Sequence, residues 1–84
     1  MIIKIEKYES PYCVPCKMMN KHLNKITGVE IVKIDITENE ELAVEKGIRT
    51  VPVLIYYDEN NNEVQRTVGA ISYDAIAKVI ESHK

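Results

Sequence analysis

The sequence predicts an α/β fold in which helices flank a mixed four-stranded sheet, with the element order β-α-β-α-β-β-α. Three observations lead to this prediction. Apolar and polar residues alternate at the start of the chain, the apolar spacing becomes helical after Pro11, and residues 51–57 are dense in β-branched and aromatic side chains. A strand–helix–strand opening favours a right-handed parallel crossover, and a later hairpin adds an antiparallel edge.

The first strand is predicted at residues 2–8, where Ile3 and Ile5 share one face and alternate with charged residues. Pro11, which has no N–H to donate to a sheet, ends this strand.

The first helix is predicted from Cys13 to about Ile26, and Gly28 closes it. Its apolar residues recur at helical spacing on one buried stripe: Cys16, Met19, Leu23 and Ile26. Its polar residues are expected to turn away from that stripe: Lys17, Asn20, Lys21 and Asn24. The helix therefore begins at the carboxyl end of a strand, where open α/β sheets keep their sites.

The remaining elements follow from the same two periodicities. Strands are predicted at residues 29–36, 51–57 and 63–68. A short helix of about 39–46, which Thr37 or Asn39 could cap, ends at Gly47. An Asn-rich turn joins the last two strands, and Ser72 caps a last helix whose inner face carries Tyr73, Ile76, Val79 and Ile80.

Length and charge exclude several classes of function. The 84 residues make one domain, residues 1–84, which we expect to be a monomer. The net charge of −2, with both signs interspersed, indicates no nucleic-acid partner.

No apolar run approaches the roughly 20 residues that span a bilayer, so no membrane association is predicted. Charges inside the N-terminal apolar run argue against a signal peptide, and we expect a cytoplasmic protein.

The only two cysteines, Cys13 and Cys16, are three residues apart at the predicted start of a helix. The unpaired N–H groups and the dipole of a helix N-terminus favour a thiolate at Cys13. Cys16 lies one turn deeper on the apolar stripe, and burial without an opposite charge keeps a thiol protonated. This asymmetry predicts that Cys13 attacks a substrate disulfide and that Cys16 resolves the mixed disulfide. Pro15 suits the first turn, which has no use for its missing N–H.

A metal site is the alternative interpretation of this cysteine pair. A closed zinc site needs four ligands, and only His22 and His83 remain as nitrogen donors. The two histidines are distant in sequence and lack zinc-finger spacing, so both are interpreted as surface residues and no metal is predicted.

Beyond these patterns, the chain resembles the thioredoxin family over nearly its whole length. Residues 13–17, Cys-Val-Pro-Cys-Lys, are similar to the family's Cys-Gly-Pro-Cys-Lys. Residues 47–53, Gly-Ile-Arg-Thr-Val-Pro-Val, resemble the block before the central strand, and residues 68–72, Val-Gly-Ala-Ile-Ser, resemble the block before the last helix. Residues 33–36 resemble the family's second core strand. The resemblance implies a minimal thioredoxin fold.

The resemblance also implies a substrate-binding surface around Cys13. Pro52 matches the family's cis-proline, and the backbone of Val51 would pair with an extended substrate segment. A strand-start proline is the alternative interpretation of Pro52. Gly69 and Ala70 would complete an apolar rim, with a plain turn as their alternative.

Residues within and beside the motif complete the set of candidates. Tyr12, in place of the family's tryptophan, and the intervening Val14 and Pro15 are expected to contact substrate. Lys17 is a candidate auxiliary residue that adds positive potential, and a solvated helix position is its alternative.

One family feature is missing. The position of the buried acid, which in the family shuttles the proton of the resolving cysteine, holds Lys7. Strand parity places neither Glu6 nor Glu9 securely beneath Cys16, so solvated surface roles are expected for both, and for Lys33. Deprotonation of Cys16 is therefore expected to rely on water or on a less well placed carboxylate.

The sequence thus predicts a thiol–disulfide oxidoreductase that reduces protein disulfides and carries no cofactor besides the Cys13–Cys16 disulfide. The resemblance implies recycling by a thioredoxin reductase or another dithiol donor. A glutathione-dependent, glutaredoxin-like activity is the alternative, suggested by the short chain and by Ser10-Pro11-Tyr12. The Val-Pro order between the cysteines and the single Gly69 after the last strand argue against it.

Overall fold

The computed structural model describes all residues, 1–84, and contains four strands and three helices in the predicted order. Their bounds are β1 Ile2–Glu9, α1 Val14–Leu23, β2 Glu30–Asp35, α2 Glu40–Glu45, β3 Val53–Asp58, β4 Glu63–Val68 and α3 Tyr73–Ser82. The mixed four-stranded sheet flanked by helices is confirmed.

The sheet has the strand order β2-β1-β3-β4. β1 pairs in parallel with β2, as a strand–helix–strand crossover requires, and in antiparallel fashion with β3. The hairpin β3–β4 then supplies the antiparallel edge. Residues 53–57 of β3 are all buried, which explains why this segment is apolar without alternation.

Two apolar clusters lie on opposite faces of the sheet. The larger one joins β1 and β3 to α1 and α3: Ile2, Ile5, Met19, Leu23, Leu54, Tyr56 and Ile76. The smaller one lies on the face against which Leu42 of α2 packs: Tyr8, Val53, Ile55 and Tyr57. The sheet is therefore covered by helices on both sides, as expected for an α/β fold.

The predicted alternation of β1 is wrong at Ile3. Ile5 is fully buried, but Ile3 is 43% exposed. The pairing of β1 with β3 shifts register between Ile2 and Lys4, and such an irregularity turns the side chain of the extra residue away from its expected face.

Several predicted boundaries also move. α1 ends at Leu23 rather than near Ile26, because the chain leaves the helix in a turn in which the Ile26 N–H donates to the Leu23 carbonyl at 3.0 Å. β3 begins at Val53 rather than Val51, since Pro52 has no N–H for the ladder.

The predicted caps of α2 and α3 differ in outcome. Ser72 caps α3 as predicted, accepting from the Ala75 N–H at 3.2 Å. Asn39 precedes α2, but its side chain donates to the Asp35 carbonyl instead of capping the helix. None of the helices has the length and apolar character needed to cross a membrane.

Candidate active site

Three loops lie next to one another where the strands end on one side of the sheet, and the pairing of the strands explains this arrangement. Tyr8 near the end of β1 pairs with Val53, and Val53 pairs with Val68 at the end of β4. Three segments therefore lie side by side: the one after β1 that leads to Cys13, the Val51–Pro52 segment before β3, and the loop that begins at Gly69. All the candidate site residues are in these loops or in the first turn of α1.

Cys13 and Cys16 form a disulfide with their Cα atoms 5.2 Å apart. Cys13 is the N-cap of α1, and its Sγ accepts a hydrogen bond from the Cys16 N–H at 3.1 Å. This contact places a helix N–H donor on the first sulfur, where it would stabilise a thiolate.

The two cysteines differ in exposure. Cys13 is partly exposed, whereas Cys16 is 1% exposed and packs on the sheet side of α1. A substrate sulfur can therefore approach Cys13 but not Cys16.

The first turn of α1 leaves its positive end unopposed. It contains no acidic residue, and Pro15 occupies an early position where no N–H is needed. Lys17 is exposed beside the pair, so its charge is largely screened by solvent. The electrostatic contribution at Cys13 thus comes mainly from the helix end itself.

The Val51–Pro52 peptide is cis, as the resemblance implies. Pro52 is fully buried, and its carbonyl accepts a hydrogen bond from the Gly69 N–H at 2.8 Å. Val51 is half-buried and precedes the first residue of β3, so its backbone lies outside the sheet ladder.

A shallow groove of about 330 Å³ runs beside the first turn of α1. Its walls come from α1 and from the loop before α3: Pro15, Met18, Met19, His22, Ala70, Ile71 and Ser72. Ala70 and Pro15 therefore line the same groove. Sequence reasoning did not identify Met18, His22 and Ile71 as site residues. The sequence did contain one indication of this groove, because Met18 is an apolar residue outside the predicted buried stripe of its helix. In the structure its side chain is 62% exposed.

The apolar surface extends beyond the groove to other predicted residues. Tyr12 and Val14, on either side of Cys13, are 89% and 64% exposed. Exposed apolar side chains grouped around a reactive sulfur are typical of a surface that contacts other proteins.

Beneath α1, the structure corrects the expectation of solvated carboxylates. Lys7 is fully buried, and its Nζ donates to Glu9 Oε1 at 2.5 Å and to Asn20 Oδ1 at 2.7 Å. Glu9 is therefore an ion-pair partner, and Asn20, predicted to face solvent, turns toward the sheet. Lys33 is exposed, as predicted.

Glu6 is not a freely solvated surface residue either. Its Oε1 accepts hydrogen bonds from Tyr57 at 2.6 Å and from Tyr8 at 2.9 Å. Desolvation by burial, followed by the hydrogen bond to Glu6, raises the pKa of both phenols well above the usual tyrosine value. This cluster belongs to the face of the sheet that packs on α2, so it does not lie beneath Cys16.

The structure shows no group of three or more His, Cys, Asp or Glu side chains placed to hold a metal ion. His83 Nε2 lies 2.9 Å from Gln65 Oε1, and His22 lines the groove.

A redox-active cysteine pair at a helix N-terminus, on a sheet of this topology, defines a dithiol–disulfide oxidoreductase. The thioredoxin family model matches residues 3–82. The chain belongs to the thioredoxin family.

Individual relatives support the same assignment. The SPbeta prophage-derived thioredoxin-like protein YosR of Bacillus subtilis is 34% identical over 67 residues, which are 80% of this chain and 82% of that protein. The thioredoxin of Chlamydia muridarum is 32% identical over 77 residues, covering 87% and 74% of the two chains. A mutant thioredoxin from Halobacterium salinarum NRC-1 superimposes with a TM-score of 0.86 at 32% identity, covering 94% of this chain and 72% of its own.

Proposed function

We propose that this protein reduces disulfide bonds in protein substrates and is itself reduced by a thioredoxin reductase or another dithiol donor. The observation that carries the proposal is the difference between the two sulfurs. Cys13 is accessible and accepts a helix N–H, whereas Cys16 is 1% exposed. The protein would act as a monomeric domain in the cytoplasm, where cysteines are kept reduced.

The reaction has two exchange steps. The Cys13 thiolate attacks one sulfur of the substrate disulfide, and the other substrate sulfur leaves with the electron pair. The Cys16 thiol then loses its proton and attacks the Cys13 sulfur, so that the second substrate sulfur leaves as a thiolate. The substrate gains two electrons, and the Cys13–Cys16 disulfide forms.

Substrate recognition would use the backbone before β3 and the apolar surface around the pair. Val51 lies outside the sheet ladder, so its N–H and C=O are available to an extended peptide in the manner of strand addition. Tyr12, Val14 and Ala70 would contact the substrate side chains that flank the disulfide. Gly69 supports this surface through its hydrogen bond to Pro52.

A coupled reduction assay tests the proposal. The protein is mixed with insulin as a disulfide substrate, together with NADPH and a thioredoxin reductase or with NADPH, glutathione and glutathione reductase. We expect insulin reduction with the first system, little with the second, and none by Cys13→Ser in either. Turnover only with glutathione would support the glutaredoxin-like alternative and contradict the proposed electron donor.

The direction of the reaction has its own measurement. A reductant should have a reduction potential well below that of the disulfide isomerases, which is about −180 mV. Equilibration of the Cys13–Cys16 disulfide with glutathione redox buffers gives this value. A potential above about −180 mV would indicate an oxidase or isomerase instead.

A further inference from the structure

We propose that Lys7 is a positioning residue for the resolving step: its buried ammonium group stabilises the thiolate of Cys16 in the reduced protein. The inference rests on the proposed function, because it concerns the step in which Cys16 resolves the mixed disulfide. It assigns a role to a buried charge that neither the first exchange step nor substrate binding uses.

The burial of Lys7 is the first observation. Its side chain is 0% exposed, and lysine is almost never fully buried unless it is paired. Glu9 and Asn20 each accept one hydrogen bond from its ammonium group. An ammonium carries three N–H donors, so one remains for an anion that forms nearby.

The second observation is the position of Asn20 on α1. Asn20 follows Cys16 by four residues, and side chains at this spacing are neighbours on one helix face, with Cβ atoms about 5–6 Å apart. Cys16 is buried on the face of α1 that meets the sheet. The ammonium group bound to Asn20 therefore lies on the side of α1 on which Cys16 is buried.

The strand supports the same placement. Ile5, two residues before Lys7 on β1, packs with Met19 and Leu23 of α1. Because side chains at i and i+2 of a strand share one face, Lys7 points toward α1 as Ile5 does. Lys7 thus continues the row of side chains that β1 places beneath α1. This row runs from the apolar residues toward the end of α1 that carries the cysteines.

The other groups around Lys7 on the sheet do not duplicate its charge. Its partner on β3 is the apolar Leu54, and its partner on β2 is Lys33, which is exposed. Tyr56 is buried on the same face, where desolvation by burial raises its pKa, and its hydroxyl contacts Thr67.

The helices that pack on this layer bring no other buried charge. Lys17 and Lys21 of α1 are exposed, and His22 is partly exposed at the groove. α3 contributes the apolar Ile76, and its Asp74 and Lys78 are exposed. The buried charge beneath α1 is therefore the Lys7 ammonium, with Glu9 as its partly exposed counter-ion.

The chemistry of resolution explains why a charge here matters. The Cys16 thiol releases its proton to water, and its sulfur attacks Cys13, breaking the bond to the substrate sulfur. Burial disfavours the thiolate that this step requires, and a nearby positive charge offsets that effect. Glu9 opposes the ammonium, so the two members of the ion pair should influence Cys16 in opposite directions.

Thiolate titration tests this prediction. In full-length Cys13→Ser protein, Cys16 is the only thiol, and formation of its thiolate is followed against pH. We expect Lys7→Met to move the midpoint to higher pH and Glu9→Gln to move it to lower pH. Lys33→Met, which removes an exposed lysine from the register position beside Lys7, should leave the midpoint unchanged.

A kinetic measurement completes the test. With both cysteines present and a chromogenic aryl thiol attached to Cys13, Lys7→Met should slow release of that thiol about three- to tenfold at neutral pH. Glu9→Gln should not slow it.

Midpoints that stay unchanged, or that move in the same direction in the Lys7 and Glu9 variants, would overturn the inference and leave Lys7 a structural residue. If Lys7→Met does not fold, Glu9→Gln still tests the inference, because a midpoint that this variant leaves unchanged or raises would overturn it. Insulin reduction by the unsubstituted protein tests the proposed function separately, so the two can fail independently.

Discussion

The N–H of Gly69 donates a 2.8 Å hydrogen bond to the carbonyl of Pro52, which joins the loop after β4 to the segment before β3. Gly69 has a φ of +88°, a conformation that favours glycine. The segment proposed to bind substrate is thus supported by a backbone contact that depends on one glycine.

We predict that Gly69→Ala lowers the free energy of unfolding by about 1–2 kcal/mol because of its backbone conformation. A Cβ at this position would meet no atom within 4 Å, so the cost is conformational rather than steric. Insulin reduction should fall several-fold, whereas direct exchange with dithiothreitol should change little. Urea denaturation and the two activity assays measure these effects.

Gly28→Ala is the matched control for this variant. Gly28 has a φ of +76° and equally open surroundings. It lies before β2, which runs parallel to β1, whereas the cysteines follow β1, so Gly28 and the cysteines are at opposite ends of these strands. It should lose similar stability and keep full insulin reduction. Equal loss of activity in the two variants would show that the effect of Gly69 is not local to the substrate surface.

The exposure of Cys13 and the burial of Cys16 predict which variant traps a substrate. Cys16→Ser should accumulate a mixed disulfide through Cys13, because the resolving sulfur is gone. Cys13→Ser should accumulate none, since the remaining sulfur is inaccessible. Intact mass spectrometry after incubation with oxidised insulin detects the adduct. An adduct of equal yield in both variants would contradict the assigned roles.

Two isoleucines of β1 offer a comparison within one strand. Ile5 is fully buried in the larger apolar cluster, so Ile5→Ala should lower the free energy of unfolding by about 2–5 kcal/mol. Ile3 is 43% exposed, and Ile3→Ala should cost less than about 1 kcal/mol. Urea denaturation of both variants measures the difference. Similar losses would support the regular alternation that the sequence predicts instead of the shifted register.

The buried phenol of Tyr57 predicts a loss of stability in alkali. Desolvation by burial and the hydrogen bond to Glu6 raise its pKa in the folded protein above the ordinary value of 10.0. The folded state therefore keeps this proton while the unfolded state loses it, so stability is fully present below about pH 10 and falls as the pH rises above it. Tyr57→Phe should flatten this decline, as measured by urea denaturation at several pH values.

Tyr57→Phe should also lose about 1–2 kcal/mol at neutral pH, because it removes the 2.6 Å hydrogen bond to Glu6. Tyr12→Phe, which alters a residue 89% exposed, is the control and should leave the neutral-pH stability unchanged. An alkaline decline that persists undiminished in Tyr57→Phe would assign it to other groups.

Local patterns were enough to predict the elements and the reactive pair. The helical spacing of Cys16, Met19 and Leu23 and the cap at Ser72 depend on residues a few positions apart, so the sequence shows them directly. The exposed Ile3 could not be predicted, because its orientation depends on a register shift against β3, more than fifty residues away along the chain.

The sequence by itself determined the order of the elements, the redox pair at a helix N-terminus and the family resemblance, because these follow from spacing and residue type over short stretches. Only the tertiary structure decided what lies beneath α1. From the sequence, Lys7 stands where the family has a buried acid, and Asn20 is expected to face solvent. Packing of α1 on the sheet instead places Lys7 Nζ 2.7 Å from Asn20 Oδ1. A buried ammonium must find acceptors, and which acceptors it finds depends on strand register and helix packing rather than on local pattern.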